Sequence, residues 1–358
     1  MGITRQIKVG ILTAPHIEFE QRANTFVLKN VRIGIGFHWD RHEDQEFAGT
    51  LEIRNNADGT QTAINTIDLE DYLCSVISSE MNANSPMELL KAHAVISRSW
   101  AIRAMQKPNH EGYHVCADDH CQRYEGLRRM NERAVEAVRA TAGQVLMYGD
   151  EICDCRYYKC CGGRTEIWRT CWEDIDVPYI QSVQCDYCDP KRKSLVPRTS
   201  VLRTSLNDYD QETKDFRDWQ VTYTDEELSE IISSKSGINF GVILDIIPLH
   251  RGASGRIDSL KIVGTKHTEV IGKELKIRLW LSRTCLYSSW FEVKKSTIKP
   301  SNHQTGAERQ TFTLIGHGWG HGAGLCQIGA AVMASEGMKY EDILAYYYVG
   351  SRLSAPAK

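Results

Sequence analysis

Apolar and polar residues alternate through the first sixty-odd positions, in "IKVGILT", "VRIGIGF" and "AGTLEIRNNADGTQTAIN". That period of two predicts strands, and Asp58-Gly59 inside the last run is a strong hairpin turn signal. From residue 66 to 106 the period changes to that of a helix, with Leu69, Tyr72, Leu73, Val76 and Ile77 on one stripe. "SPME" then predicts a capping box, with Ser85 as N-cap, Pro86 in the first helical position and Glu88 reaching back, opening a second helix that runs to about Met105. "NERAVEAVRATAGQVLM" predicts a helix closed near Gly143 and then a strand, and "TDEELSEIISSKSG" a helix boxed by Thr224 and Glu227 and stopped by Gly237. Strands follow at "GVILDIIPL", "IDSLKIVG" and "FEVKK", with "HTEVIGKELKIRLWL" as a hairpin arm leading into a helix. The tail predicts two short helices separated by Gly337. The whole reads as mixed α+β with a β-rich segment over residues 1–65 and a turn-rich, polar stretch over 185–220.

Composition narrows the partners. A chain of 358 residues with ordinary apolar and charged fractions can bury a sizeable core. A net charge of -3 with no block of Lys and Arg gives no footprint for nucleic acid or an anionic membrane. No apolar run is long enough to span a bilayer, and "MGITRQIKVGILTAP" shows no apolar leader segment. Twelve cysteines exceed what packing alone explains, and most of them cluster at 116/121, 153/155, 160/161 and 185/188. Such clusters suit metal ions or local bridges, and spacing does not assign the pairs.

Four constellations carry candidate chemistry. Glu80 lies eleven residues after Leu69, on the apolar face of its helix, and reads either as a desolvated, protonated carboxyl suited to general acid work or as a helix-end Glu that tilts into solvent. Lys91 and Arg98, seven apart on the next helix, would meet Glu80 across the "MNANS" turn or else form a solvated basic stripe. "HEGYHVCADDHCQRY" brings His110, His114, Cys116, His120 and Cys121 within a dozen residues, suited to tetrahedral zinc or, alternatively, to a disulfide or buried thiols. In "CDCRYYKCCGGRTE" a strand ends in a glycine turn; Cys160 or Cys161 would reach Cys171, Cys185 or Cys188, and "CDYC" reads as half a zinc site or as a redox pair, the latter without the helix start such pairs usually have. The glycine-rich "GHGWGHGAGLCQIGAA" lacks the Lys and Ser/Thr of a phosphate loop, which excludes a nucleotide. With Trp319 as a flat platform and His317, His321 and Gln327 as polar groups, it suits either a sugar or a structural loop packing a Trp.

These pieces together resemble the stage II sporulation protein D family, which includes the amidase-enhancer domains of bacterial cell-wall enzymes. The blocks are "LEDYLCSVISSEMNANSPMELLKAHAVISRSWAI", "DDHCQRYEG", "CCGGRTE", "PYIQSV" and "GHGWGHGAGLCQIGAAVMASEGMKYEDILAYYYVGSRL", covering most of residues 64 to 353. The resemblance implies a lytic transglycosylase that cuts peptidoglycan glycan strands between N-acetylmuramic acid and N-acetylglucosamine, in some members on strands stripped of peptide by a partner amidase. It implies a catalytic role for Glu80 with Lys91 and Arg98 beside it. A cleft lined by Tyr157, Tyr158, Lys159, His317, Trp319, His321 and Gln327 is expected, together with zinc on His110, Cys116, His120 and Cys121, where His114 would be the substitute ligand. It divides the chain into the β-rich segment 1–65, a core of 66–198 with 301–358, and an inserted α/β subdomain, 199–300. Its non-catalytic alternative is a glycan-binding or amidase-stimulating module. The expected location is the cell envelope, although no leader is visible. Two departures stand out: "CCGG" and Cys326 occupy positions where hydroxyl residues are common in the family.

Overall fold

The computed structural model describes residues 6–35, 40–118, 120–189, 191–192, 201, 217–298 and 309–354. Residues 193–200 and 202–216, most of the expected turn-rich stretch, lie outside the described residues, as do Asp119 and 299–308. The N-terminal strands are β1 (Gln6–Ala14), β2 (Phe19–Gln21), β3 (Thr25–Ile33), β4 (Arg41–Ala48), β5 (Thr50–Asn55) and β6 (Gln61–Asp68). Asp58 and Gly59 turn β5 into β6, with φ of 84° at Gly59, as the Asp-Gly signal predicts. Next come α1 (Leu69–Glu80), α2 (Met87–Gln106), β7 (Val115–Cys116), α3 (Glu132–Ala140), β8 (Val145–Tyr148), β9 (Glu151–Ile152), β10 (Tyr157–Tyr158) and α4 (Trp168–Cys171). The second half contains β11 (Asp218–Thr224), α5 (Asp225–Ser236), β12 (Ile243–Arg251), β13 (Ile257–Gly264), β14 (Thr268–Ile271), α6 (Glu274–Trp280), β15 (Phe291–Ile298) and β16 (Arg309–His317). The chain closes with β17 (Leu325–Cys326), α7 (Gln327–Ser335), α8 (Tyr340–Tyr347) and β18 (Arg352–Ser354).

Among the described residues six small sheets share two cores, so the fold is mixed α+β. In the first sheet, of order β5-β6-β1-β7, β1 pairs antiparallel with β6 and parallel with β7. Residues of β1, β3 and β6 share one buried apolar core with α1, α2, α7 and α8, so the β-rich segment has no core of its own. The second core is built on Trp219, Leu228, Ile246, Leu260, Ile277, Phe312 and Leu314. Strand β16 is the middle strand of the order β11-β16-β15, so Arg309–His317 shares this second core with residues on the near side of position 300. Buried Glu166 fixes this unit to the first core by accepting from the backbone N–H groups of Ala253 and Ser254 and the Ser254 hydroxyl. With the Ile167 N–H it gains four donors, which is what makes a buried carboxylate tolerable.

The α5 capping box forms as predicted, with Gly237 in the left-handed region at φ 73°. The Ser85 box does not form. Pro86 is the N-cap of α2 and has no side-chain cap bond, because Glu88 accepts instead from Lys91 Nζ and from the backbone N–H of Tyr340 on α8. A tertiary partner thus captured the carboxylate that the local pattern assigned to the cap.

Candidate functional site

Glu80 is the last residue of α1, and the helix places it by two faces. Its apolar stripe, Leu69, Tyr72, Leu73, Val76 and Ile77, is buried in the first core. A serine row on the same helix holds the loop 122–131: Ser75 Oγ donates to Gly126 O at 2.6 Å, and Ser78 and Ser79 Oγ accept from the N–H groups of Asn131 and Glu125. That loop delivers the Arg123 N–H to Glu80 Oε1 at 3.1 Å. Tyr157 Oη donates to the same oxygen at 3.0 Å. Burial, followed by the adjacent Glu80 carboxylate, pushes the Tyr157 phenol well above its ordinary range, so it stays protonated and remains a donor.

Tyr157 is itself held on three sides. Its ring meets His93 edge-on, with centroids 4.4 Å apart. Its carbonyl accepts from His321 Nε2 at 3.0 Å, while His321 Nδ1 accepts from the Ala323 N–H at 3.1 Å, which fixes His321 as the neutral Nε2–H tautomer. Its strand pairs in parallel with β17. Buried His93 lies between Ser97 Oγ at Nδ1, 3.2 Å, and Gln327 Nε2 at Nε2, 3.1 Å. Burial first, then the nearby Lys159 charge, lowers its pKa to about 3. Gln122 completes the corner, accepting from Tyr72 Oη at 3.1 Å and donating to Ser97 O.

The structure therefore brings Glu80 and Tyr157 together and separates other expected partners. Lys91 bonds Glu88 and lies over the Tyr340 ring rather than meeting Glu80. Arg98 is fully buried and gives a bidentate pair to Glu70 at 2.8 and 2.6 Å, with further bonds to Val138 O and Gln144 O. Seven residues on a helix do share a face, but α2 turns that face toward α3 and α8. Tyr158 is buried against Arg256 and half-buried Lys159 lies near His93.

The glycine loop is likewise corrected as a sugar cleft: its glycines approach protein. A Cβ on Gly322 would lie 2.5 Å from the Arg256 guanidinium carbon, and one on Gly324 2.0 Å from Arg156 O, both at positive φ. Trp319 exchanges backbone bonds with Cys160 and packs on Tyr287, and His321 and Gln327 serve Tyr157 and His93; Trp319 and Gln327 are buried and His321 is half-buried. His317 alone of this group is exposed, and its Nδ1 bonds Asp218 at 2.6 Å. Sequence periodicity missed His93, Gln122 and the Arg123 N–H. The i, i+4 placement of His93 and Ser97 on one buried helix face was the available signal.

The expected metal ligands do converge. One ligand atom each from His110, Cys116, His120 and Cys121 lies within 4.8 Å of the others. His110 Nε2 is 3.2 Å and His120 Nδ1 3.5 Å from Cys121 Sγ, against a nitrogen–sulfur edge of about 3.5 Å around tetrahedral zinc. Hydrogen bonding from Cys121 first, then from His120, holds the Cys116 thiol down to about 4. His114 stays out of this set, because its Nδ1 accepts from the Lys8 N–H in the sheet. The loop passes from Cys121 into Gln122 and Arg123, so any ion here would fix the segment that supports Glu80.

Residues 57–148 match the family model described as Stage II sporulation protein, and 166–324 match a domain of unknown function. Stage II sporulation protein D of Bacillus subtilis is 26% identical over 82% of this chain and 76% of its own length. An uncharacterised protein of Brachyspira hyodysenteriae is 28% identical over 81% of this chain and 68% of its own. The amidase enhancer of Bacillus subtilis is 25% identical over 79% of this chain and 40% of its own. No helix of the described residues is long and apolar enough to cross a membrane.

Proposed function

Because the chain belongs to the stage II sporulation protein D family, we propose that it works on the bacterial cell wall as a lytic transglycosylase with Glu80 as its acid and base. The observation that carries this reading is the convergence of Tyr157 Oη and the Arg123 N–H on Glu80 Oε1. In this scheme the Tyr157 and Arg123 donors orient the carboxyl group, which enters the reaction protonated. Its proton passes to the glycosidic oxygen between N-acetylmuramic acid and N-acetylglucosamine as that bond lengthens and positive charge builds on the muramic ring. The carboxylate left behind, still oriented by its two donors, takes the proton of the sugar's own 6-hydroxyl as this oxygen attacks the anomeric carbon. The product is a 1,6-anhydro end and no water is consumed. An intramolecular nucleophile needs no second carboxylate to position it, since the ring supplies the effective concentration.

Arg98 serves as a positioning residue in this scheme, locking α1 through Glu70. Lys159 brings positive charge to the corner, suited to the lactyl carboxylate that peptide removal exposes on muramic acid. Zinc on His110, Cys116, His120 and Cys121 would stiffen the support of Glu80, and the donor set suits it. The expected setting is extracytoplasmic, with glycan strands as substrate and a cell-wall amidase as partner.

The test is incubation of the protein and of Glu80→Gln with intact and peptide-stripped glycan strands, with products read by mass spectrometry. Anhydro-muramyl ends made by the unsubstituted protein alone are expected. Cleavage by neither protein, with glycan binding retained by both, would overturn the enzymatic reading. The relative named amidase enhancer favours the second reading, a module that stimulates an amidase. Under that reading, amidase turnover rises equally with the protein and with Glu80→Gln.

A further inference from the structure

A second set of four cysteines lies apart from Glu80. The sulfurs of Cys161, Cys185, Cys188 and Cys326 are all within 4.8 Å of one another, and all four residues are buried. They come from three places far apart in the chain: the turn after β10, a short 3-10 turn over Asp186–Cys188, and the N-cap of α7. The separations are 3.2 Å for Cys161 to Cys188, 3.1 Å for Cys188 to Cys326 and 3.9 Å for Cys185 to Cys188. Four thiolates around one zinc at about 2.3 Å each stand about 3.8 Å apart. The ligand sulfurs of an iron–sulfur cluster spread over several metal ions and cannot all approach so closely.

The surroundings suit thiolates rather than thiols. Cys326 Sγ accepts from the backbone N–H groups of Cys161 and Gly329, both at 3.3 Å, and Cys161 Sγ accepts from the Gly163 N–H at 3.3 Å. The Tyr347 hydroxyl lies 3.2 Å from Cys185 Sγ. Cys326 sits at the N-terminus of α7, where the helix dipole favours negative charge. Four thiolates on a divalent ion carry a net charge of about minus two, and burying it requires compensation of this kind. Buried Arg256 adds a positive charge one carbonyl away, bonding Cys161 O while its Nη2 has no hydrogen-bond partner among the described residues.

We propose that Cys161, Cys185, Cys188 and Cys326 bind one structural zinc ion as four thiolates, separate from the His110 loop. The ion would clamp the strand carrying Tyr157 to α7, because Tyr158 and Cys326 are register partners in β10 and β17. This inference does not rest on the enzymatic reading.

The test is metal analysis of the full chain purified without chelators, together with X-ray absorption at the zinc edge. Two zinc ions per chain with an average of about three sulfurs and one nitrogen each are expected if both sets are filled. A single zinc with four sulfurs also supports the proposal. A single zinc with two sulfurs and two nitrogens, or no zinc, overturns it, as does peptide mapping that finds these cysteines in disulfides. Cys185→Ala with Cys188→Ala should lose one zinc, while Cys74→Ala, a buried thiol outside both sets, should lose none. If the double variant fails to fold, the absorption measurement on the unsubstituted protein still decides.

Discussion

The corner around Glu80 and the glycine loop were both expected to face a sugar, and they turn out to be built on opposite plans. At Glu80 a half-buried carboxylate stands at a helix end and receives two directed donors. In the glycine loop the polar side chains of His321 and Gln327 are consumed by the scaffold, and the missing Cβ atoms admit Arg256 and Arg156 O. The first region holds the proposed chemistry, and the loss of Glu80 should spare the fold. The second holds the first in place, and its loss should spare nothing.

Substitutions can break that division. Glu80→Gln keeps the shape and should cut anhydro-muramyl product formation by about a thousandfold, with a stability change of less than about 0.5 kcal/mol in urea unfolding. Gly322→Ala should do the reverse, destabilising by about 3 kcal/mol or more, because its Cβ would enter the Arg256 guanidinium at a φ of 90°. Arg98→Met should cost about 3 kcal/mol in the same assay by orphaning Glu70 and two carbonyls.

His93 sharpens the comparison through pH. Its folded pKa, about 3, lies below the value of about 6.5 expected when unfolded. Between those values the unfolded chain holds more protons, so stability is full above about pH 6.5 and falls toward pH 3, by about 1.4 kcal/mol per unit. Urea midpoints from pH 7 to 5 should therefore fall less steeply in His93→Gln than in the unsubstituted protein. The smallest effect is expected at His317, the exposed residue of the loop: His317→Ala should change stability by less than about 0.5 kcal/mol. A large loss of glycan binding in that variant would return part of the loop to the sugar.

Legibility followed distance along the chain. The Thr224 and Glu227 cap, the Gly237 stop and the Asp58-Gly59 turn are encoded within a few residues and read correctly. The His110 to Cys121 set was found for the same reason, since all its ligands fall in one loop. The place of Glu80 at the end of α1 was legible because helical period marks a carboxylate on an apolar face. What defeated the sequence was competition from afar. Glu88 looked like a capping residue until Tyr340 claimed it, and Lys91 and Arg98 shared a face whose neighbours only packing decides. Positive φ in the glycine loop was foreseeable, but what lay against each glycine was not.

The distance between Cys161 and Cys326 has a consequence during synthesis. The strand bearing Tyr157 gains its parallel partner only when residues 325 and 326 have left the ribosome, near the end of the described chain. Until then the helices α1 and α2 and the N-terminal sheet can assemble from local contacts, while the platform beside Glu80 waits for a closure across more than 160 residues. A nascent or truncated chain ending before α7 would thus carry the carboxylate without the strand that aims it, and the proposed chemistry would wait until synthesis had passed residue 326.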